Sequence, residues 1–199
     1  MEFYITLIIV AIVAYLIGSI PTGYLIVKAK TNQDIRTIGS GSTGATNVKR
    51  VLGKKWFFIV MFLDALKGAT PVLLAKYLTA DTYGIMAVIA SIFVIIGHSK
   101  PIFLQFKGGK SVASGVGTIL ALNWLVGLSI ALIWGIITYI SKYVSLGSII
   151  ALSVSPILMY YLKNPIGYVV YCAIAALYII YLHRENIKRL IKGEENKVR

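Results

Sequence analysis

The run from Phe3 to Val27 contains no charged residue, and a stretch that long and that apolar has a helix across a lipid bilayer as its natural fold. A hydrocarbon core of about 30 Å is crossed by roughly 20 helical residues. Further apolar runs follow at Trp56–Leu78, Tyr83–Gly97, Ser111–Leu122, Trp124–Ser141, Ser145–Tyr161 and Pro165–Leu182, with short polar joins between them. The expected fold is an all-α integral membrane protein, a compact bundle of seven transmembrane helices in which Ser111–Leu122 is too short to cross alone. No polar stretch is long enough to build a second core, so residues 1–199 read as a single polytopic membrane domain. Met1-Glu2-Phe3 lacks the basic start of a signal peptide, and the first run is therefore expected to stay as a span.

Charge orients the chain. There are 20 Lys and Arg against 7 Asp and Glu, a net charge of +13, and cytoplasmic loops of membrane proteins collect such an excess whatever the protein does. With the N-terminus outside and seven crossings, residues 28–55, 99–110, 142–144 and 183–199 lie inside. Those segments hold 17 of the 20 basic residues, so the C-terminus is expected in the cytoplasm. Without the short fourth run, the first two polar islands described below would face the opposite side from the third. Gly109, Ala113 and Gly117 recur every four residues, a spacing that lets helices approach closely in lipid. Pro21, within Gly18-Ser-Ile-Pro-Thr-Gly23, is expected to kink the first helix and free a carbonyl.

Three polar islands interrupt the apolar runs. The first, Gly39-Ser-Gly-Ser-Thr-Gly-Ala-Thr-Asn47, has no large apolar side chain and is followed by Lys49 and Arg50. Glycines let backbone N–H groups turn toward one point and hold a phosphate there, and Arg50 would add a planar fork. The second, Phe106-Lys-Gly-Gly-Lys110-Ser111, precedes the short helix, which would put its N–H groups at a helix N-terminus beside Lys107 and Lys110. The third, His183-Arg-Glu-Asn186, follows the last apolar run, and on a continuing helix His183 and Asn186 share a face. Ser145 starts the sixth helix on the same side. Taken singly, each island is also compatible with an ordinary loop, basic turn or helix cap.

Several chemistries are excluded. Gly39-x-Gly41-x-x-Gly44 matches the dinucleotide fingerprint, but a membrane helix stands where the strand of a βαβ unit should be. Gly39 and Gly44 have P-loop spacing, yet Ala45 occupies the lysine position. One cysteine, Cys172, and two histidines far apart offer neither an internal disulfide nor a protein-built metal site, so no metal and no cofactor are expected. Asp64 and Lys67 lie inside the second run, where each charge costs roughly 2.5–3.5 kcal/mol to insert. They are expected to pair on one helix face and to hold the bundle together, with His98 in a structural role.

Taken in order, Gly18-Ser-Ile-Pro-Thr-Gly23, the first island, Leu63-Asp-Ala-Leu-Lys-Gly68, Phe106-Lys-Gly-Gly-Lys110 and His183-Arg-Glu-Asn-Ile187 resemble the motifs of the bacterial acyl-phosphate-dependent glycerol-3-phosphate acyltransferases. The resemblance covers essentially the whole chain; one departure is Ser42, where many members have asparagine. It implies a seven-helix membrane enzyme that moves a fatty acyl group from acyl phosphate to the 1-hydroxyl of glycerol 3-phosphate. By similarity, Ser40, Arg50, Lys110, Ser145, His183 and Asn186 match the family's polar pocket, and Thr46, Asn47, Gly108 and Gly109 belong to the same motifs. Lys110, Arg50, His183 and Asn186 are the candidate catalytic residues. Gly39, Ser40, Gly41, Ser42, Thr46, Asn47, Lys107, Gly108, Gly109 and Ser145 are the candidates for binding substrate and phosphate.

This chemistry suits the residues. Both implied substrates carry phosphate, and acyl phosphate is already activated, so neither ATP nor a covalent nucleophile is required. The His-then-Asp signature of other acyltransferases is absent, since Phe103 follows His98 and Lys188 follows His183 at the relevant spacing. The expected partners are glycerol 3-phosphate, acyl phosphate and membrane lipids of a bacterial inner (plasma) membrane, with no nucleic acid and no need for more than a monomer. Two other classes fit parts of the sequence. A small organic-anion or phosphate transporter would use Asp64 and Lys67, although transport sites usually lie near the bilayer midplane. A lipid-binding scaffold would use the basic loops.

Overall fold

The structure, a computed structural model, describes residues 1–79 and 83–198; Arg199, counted above with the basic C-terminal segment, lies outside the described residues. Among the described residues there are ten α-helices: α1 (Glu2–Ser19), α2 (Thr22–Thr31), α3 (Ala45–Leu52), α4 (Lys54–Leu78), α5 (Ile85–Ser99), α6 (Val112–Leu122), α7 (Trp124–Ser141), α8 (Val144–Tyr161), α9 (Ile166–Leu182) and α10 (Arg184–Ile191). Among the described residues there is no strand. Five stretches of the described residues are long and apolar enough to cross a membrane: Glu2–Thr31, Lys54–Leu78, Ile85–Leu104, Trp124–Ser141 and Val144–Tyr161. A sixth arises if α9 and α10, bent by 62° at their junction, are taken together. The remaining expected run, the fourth, is α6, whose 11 residues fall well short of the roughly 20 that a bilayer needs.

Burial on α1 has the reverse of a soluble pattern. Its buried residues are the small Ala11, Ala14, Gly18 and Ser19, whereas Ile5, Ile8, Ile9, Ile12 and Leu16 are exposed. A helix that packs through its small residues and presents its large ones outward is made for lipid. Pro21 has no N–H to continue the ladder, and helix stops at Ser19 and restarts at Thr22. The Ile20 carbonyl at that break accepts a hydrogen bond from Lys67 Nζ at 2.7 Å.

The chain divides into two compact units, Met1–Thr118 and Ile119–Arg199. In the first, α1 packs on α5 through reciprocal glycines. A Cβ on Gly18 would stand 2.9 Å from Val94 Cα, and one on Gly97 would stand 2.9 Å from Ser19 N. The same device joins α4 to α6, where a Cβ on Gly68 would lie 2.8 Å from Ser114 Cα and one on Gly117 2.8 Å from the Ala65 carbonyl carbon. Contacts that short admit no methyl group. Val27, Ile35, Val48 and Val60 form a small buried core beneath the first island, with Trp56 against it.

In the second unit, α7 opens on Asn123, whose side chain accepts from the N–H groups of Leu125 and Val126 and so caps the helix. The Asn123 amide also donates to Asn164 Oδ1 at 2.9 Å. Lys142, left-handed at φ 65°, ends α7 and turns the chain directly into α8. At Gly147 on α8, a Cβ would meet the Trp134 carbonyl oxygen of α7 at 3.0 Å.

Candidate active site

The first island is a loop held from within by Asn47. Its Oδ1 accepts the Ser40 N–H at 3.1 Å, while its Nδ2 donates to the carbonyls of Ile38 and Ser42 at 2.9 Å each and reaches Ile35 O at 3.3 Å. Asn47 is 1% exposed, so its carboxamide shapes the loop instead of facing a ligand. Gly39 and Gly41 adopt φ of +61° and +67°, the left-handed region that favours glycine. A Cβ on Gly39 would also collide with Asn47 Oδ1 and touch Arg50 Cδ at 3.5 Å, which places the stem of Arg50 beside Gly39 and its head in the open. Ser42 Oγ accepts the Gly44 N–H at 3.3 Å. Thr46, on the first turn of α3, is partly exposed.

Arg36 joins the approaches to the first two islands. Its guanidinium pairs with the Asp34 carboxylate at 2.6 Å and donates from Nη1 to Leu104 O at 3.4 Å. The hydrogen bonds from Arg36 hold the Asp34 carboxyl below its ordinary value. Sequence reasoning singled out neither residue. The Asp34-Ile-Arg36 spacing was the available signal, because an aspartate that caps a turn can reach the arginine two residues on.

The second island departs from expectation. The N–H groups of Gly108 and Gly109 donate to the carbonyls of Ser99 and His98 at 3.2 and 3.1 Å, so they brace the end of α5 and do not form an anion-binding helix start. Ser111 is left-handed at φ 58°, its hydroxyl donates to Ile95 O at 2.7 Å, and α6 begins only at Val112. Gly109 is needed where the loop meets the His98 ring, which a Cβ would strike. Of its two lysines, Lys107 is exposed and Lys110 is half-buried.

Asp64 and Lys67 pair as expected, at 2.9 Å, with side chains 3% and 9% exposed. Thr22 Oγ1 donates to Asp64 Oδ1 at 2.6 Å, and His98 Nδ1 stands 3.8 Å from the same oxygen. Together with the bond from Lys67 to Ile20 O, this cluster mends the helix break at Pro21. Its charges are committed to the fold.

In the second unit the third island lies at a corner. α9 ends at Leu182, His183 is the joint, and Asn186 sits in the first turn of α10, so the two are not on one continuing helix. Both are buried, at 3% and 7% exposure. His183 Nδ1 lies 2.8 Å from Ile179 O. A carbonyl can only accept, so in the neutral ring Nδ1 carries the proton and Nε2 carries the lone pair. Ser145 is the second residue of α8, not its cap. Its hydroxyl and the Asn186 amide both donate to Glu195 Oε1, at 2.9 and 2.6 Å, and Arg189 Nε donates to Oε2 at 2.7 Å. Burial raises the pKa of Glu195, but hydrogen bonds from Asn186, Arg189 and Ser145 outweigh it and keep the carboxyl below the usual value. Glu195 and Arg189 were missed from sequence, although Glu194-Glu195 is an acidic pair in an otherwise basic tail. Among the described residues no cluster of His, Cys, Asp and Glu could hold a metal ion.

Known proteins resemble this chain along nearly its full length. The family profile described as Glycerol-3-phosphate acyltransferase matches residues 8–193. A glycerol-3-phosphate acyltransferase of Prochlorococcus marinus is 48% identical, covering 96% of this chain and 97% of its own. Another, from Nostoc sp., is 44% identical over 95% of this chain and 90% of its own. Among solved structures, PlsY (YgiH), described as an integral membrane glycerol 3-phosphate acyltransferase, superimposes in its glycerol 3-phosphate form with a TM-score of 0.91. That pair is 39% identical, with 97% of this chain and 96% of that one covered. The lysophosphatidic acid form of PlsY gives a TM-score of 0.87 at 38% identity, with 97% and 95% covered.

Proposed function

This chain belongs to the glycerol-3-phosphate acyltransferase family, and on that premise we propose that it transfers a fatty acyl group from acyl phosphate to the 1-hydroxyl of glycerol 3-phosphate. The products are lysophosphatidic acid and inorganic phosphate, which makes the reaction the first acylation of phospholipid synthesis. The likeness to a structure holding glycerol 3-phosphate carries the reading. The chain crosses the inner membrane of a bacterium seven times, N-terminus outside, with its polar islands toward the cytoplasm.

The glycerol hydroxyl attacks the acyl carbonyl carbon, the new ester C–O bond forms, and the bond to the phosphate oxygen breaks. Phosphate leaves with the acyl group's former bridging oxygen. The hydroxyl proton passes to that phosphate or to His183 Nε2, the ring nitrogen left with a lone pair by the Nδ1 hydrogen bond. Lys110 and Arg50 meet phosphate charge as cations, and Ser40 and Thr46 offer hydroxyls beside them. Ser145 and Asn186 supply neutral donors of the kind an oxyanion accepts, as they do toward Glu195. Gly39, Gly41, Ser42 and Asn47 set the loop that carries Ser40.

A transport reading loses the residues that suggested it, because Asp64 and Lys67 bond to each other and to the α1–α2 break. The test of the proposal is donor choice. Acyl phosphate and acyl-CoA are offered separately with labelled glycerol 3-phosphate, and 1-acyl lysophosphatidic acid is measured. Product from acyl phosphate alone is expected; product from acyl-CoA alone would refute the donor assignment.

A further inference from the structure

The third island already holds an anion. Glu195 is carried by residues 193–198, a strap tied at both ends. Near α10 the Glu194 N–H donates to Arg189 O at 2.8 Å, and at the far end the Val198 N–H donates to Lys142 O at 2.8 Å. Lys197 Nζ stands 5.7 Å from the centre of the Tyr143 ring. Between these anchors the Glu195 side chain is 6% exposed, both of its oxygens engaged by Ser145, Asn186 and Arg189. A serine hydroxyl has one proton to donate. While Glu195 is seated, Ser145 cannot donate to a phosphate oxygen, and two anions side by side on the same donors repel. The fork of Arg189 suits a phosphate as well as it suits a carboxylate.

We propose that Glu195 is a tethered competitor for substrate phosphate. The strap seats its carboxylate on Ser145, Asn186 and Arg189, and a phosphate oxyanion enters that cradle only by displacing it. The identity of the phosphate rests on the acyltransferase reading; the competition itself rests on the geometry. Arg189 thereby joins the anion-binding residues. Occupancy of the strap sets how tightly a phosphate is held, and its release opens the cradle without altering any group that receives the ligand.

Two full-length variants test this. Glu195→Gln removes the charge and keeps the shape. Val198→Pro removes the N–H that anchors the strap and leaves every cradle residue in place. Inorganic phosphate is titrated into each by calorimetry, and steady-state kinetics are run with both phosphate-bearing substrates. The dissociation constant of inorganic phosphate should fall roughly 3–10-fold in both variants, as expected when a tether of about millimolar effective concentration is lost. The KM of one substrate should fall in parallel, with no decrease in kcat. Unchanged or weaker phosphate binding in both variants, with a lower kcat, would overturn the proposal and make Glu195 the residue that holds Ser145 and Asn186 in place. Tighter phosphate binding in a protein with no acyltransferase activity would uphold the strap and remove only the catalytic reading.

Discussion

Replacing Asn47 by aspartate exchanges one NH2 group for one oxygen and tests whether that carboxamide organises the glycine loop. The Ser40 N–H would keep its acceptor, but the carbonyls of Ile35, Ile38 and Ser42 would lose their donor and face an oxygen in its place. A neutral hydrogen bond contributes about 1 kcal/mol net, and a buried acceptor left without a partner costs about 1–3 kcal/mol. The two shorter bonds, at 2.9 Å, therefore put the loss at about 2–4 kcal/mol. Since 1.4 kcal/mol is tenfold in an equilibrium, the loop should open roughly 10²-fold more often. Amide hydrogen exchange reads this directly: residues 35–47 should lose protection in Asn47→Asp, while α5 keeps it. Glycerol-3-phosphate-dependent turnover should fall by a similar factor. Unchanged exchange in the loop together with turnover within twofold of the wild type would mean that these hydrogen bonds contribute nothing to the loop.

Gly39→Ala should lower turnover at least tenfold more than Gly53→Ala. Both residues have positive φ, worth about 1–2 kcal/mol against alanine, but only at Gly39 does the new methyl meet Asn47 and Arg50. Lys67→Met should lower the melting temperature, since losing one partner of a buried pair costs about 3–5 kcal/mol, and adding Asp64→Asn to it should restore part of the loss. Lys110→Ala should cut turnover by about 10²–10³-fold with little change in melting temperature. The strap should respond to acid in one direction. The carboxyl of Glu195 is held below its ordinary 4.5 when docked, so docking is at full strength above that value and is lost as pH falls through the lowered one. A spin label at Asn196→Cys should sharpen only in that acid range, and Glu195→Gln should abolish the transition.

How much of this was legible in the chain varies with the range of the forces involved. Membrane crossing, the break at Pro21, the shortness of α6 and the Asp64–Lys67 pair follow from local pattern, because lipid punishes a stray charge or open carbonyl wherever it stands. The close approach at Gly117 was readable from its four-residue spacing with Ala113. The N–H groups of Gly108 and Gly109 turn back to Ser99 and His98, and no short-range pattern reveals that closure. The bonds from Asn47 to the carbonyls of Ile35, Ile38 and Ser42 are hidden from sequence in the same way. The corner at His183 carries no proline or glycine to mark it. Glu195 reached Ser145 only through the return of the tail to Lys142, a contact between residues 50 apart in the chain.

The most direct test is to place the purified protein in nanodiscs and measure phosphate release from palmitoyl phosphate, with and without glycerol 3-phosphate, while quantifying lysophosphatidic acid. Release that depends on glycerol 3-phosphate is expected, with one lysophosphatidic acid formed per phosphate. A folded, monodisperse sample that releases no phosphate and forms no lysophosphatidic acid would contradict the proposed function.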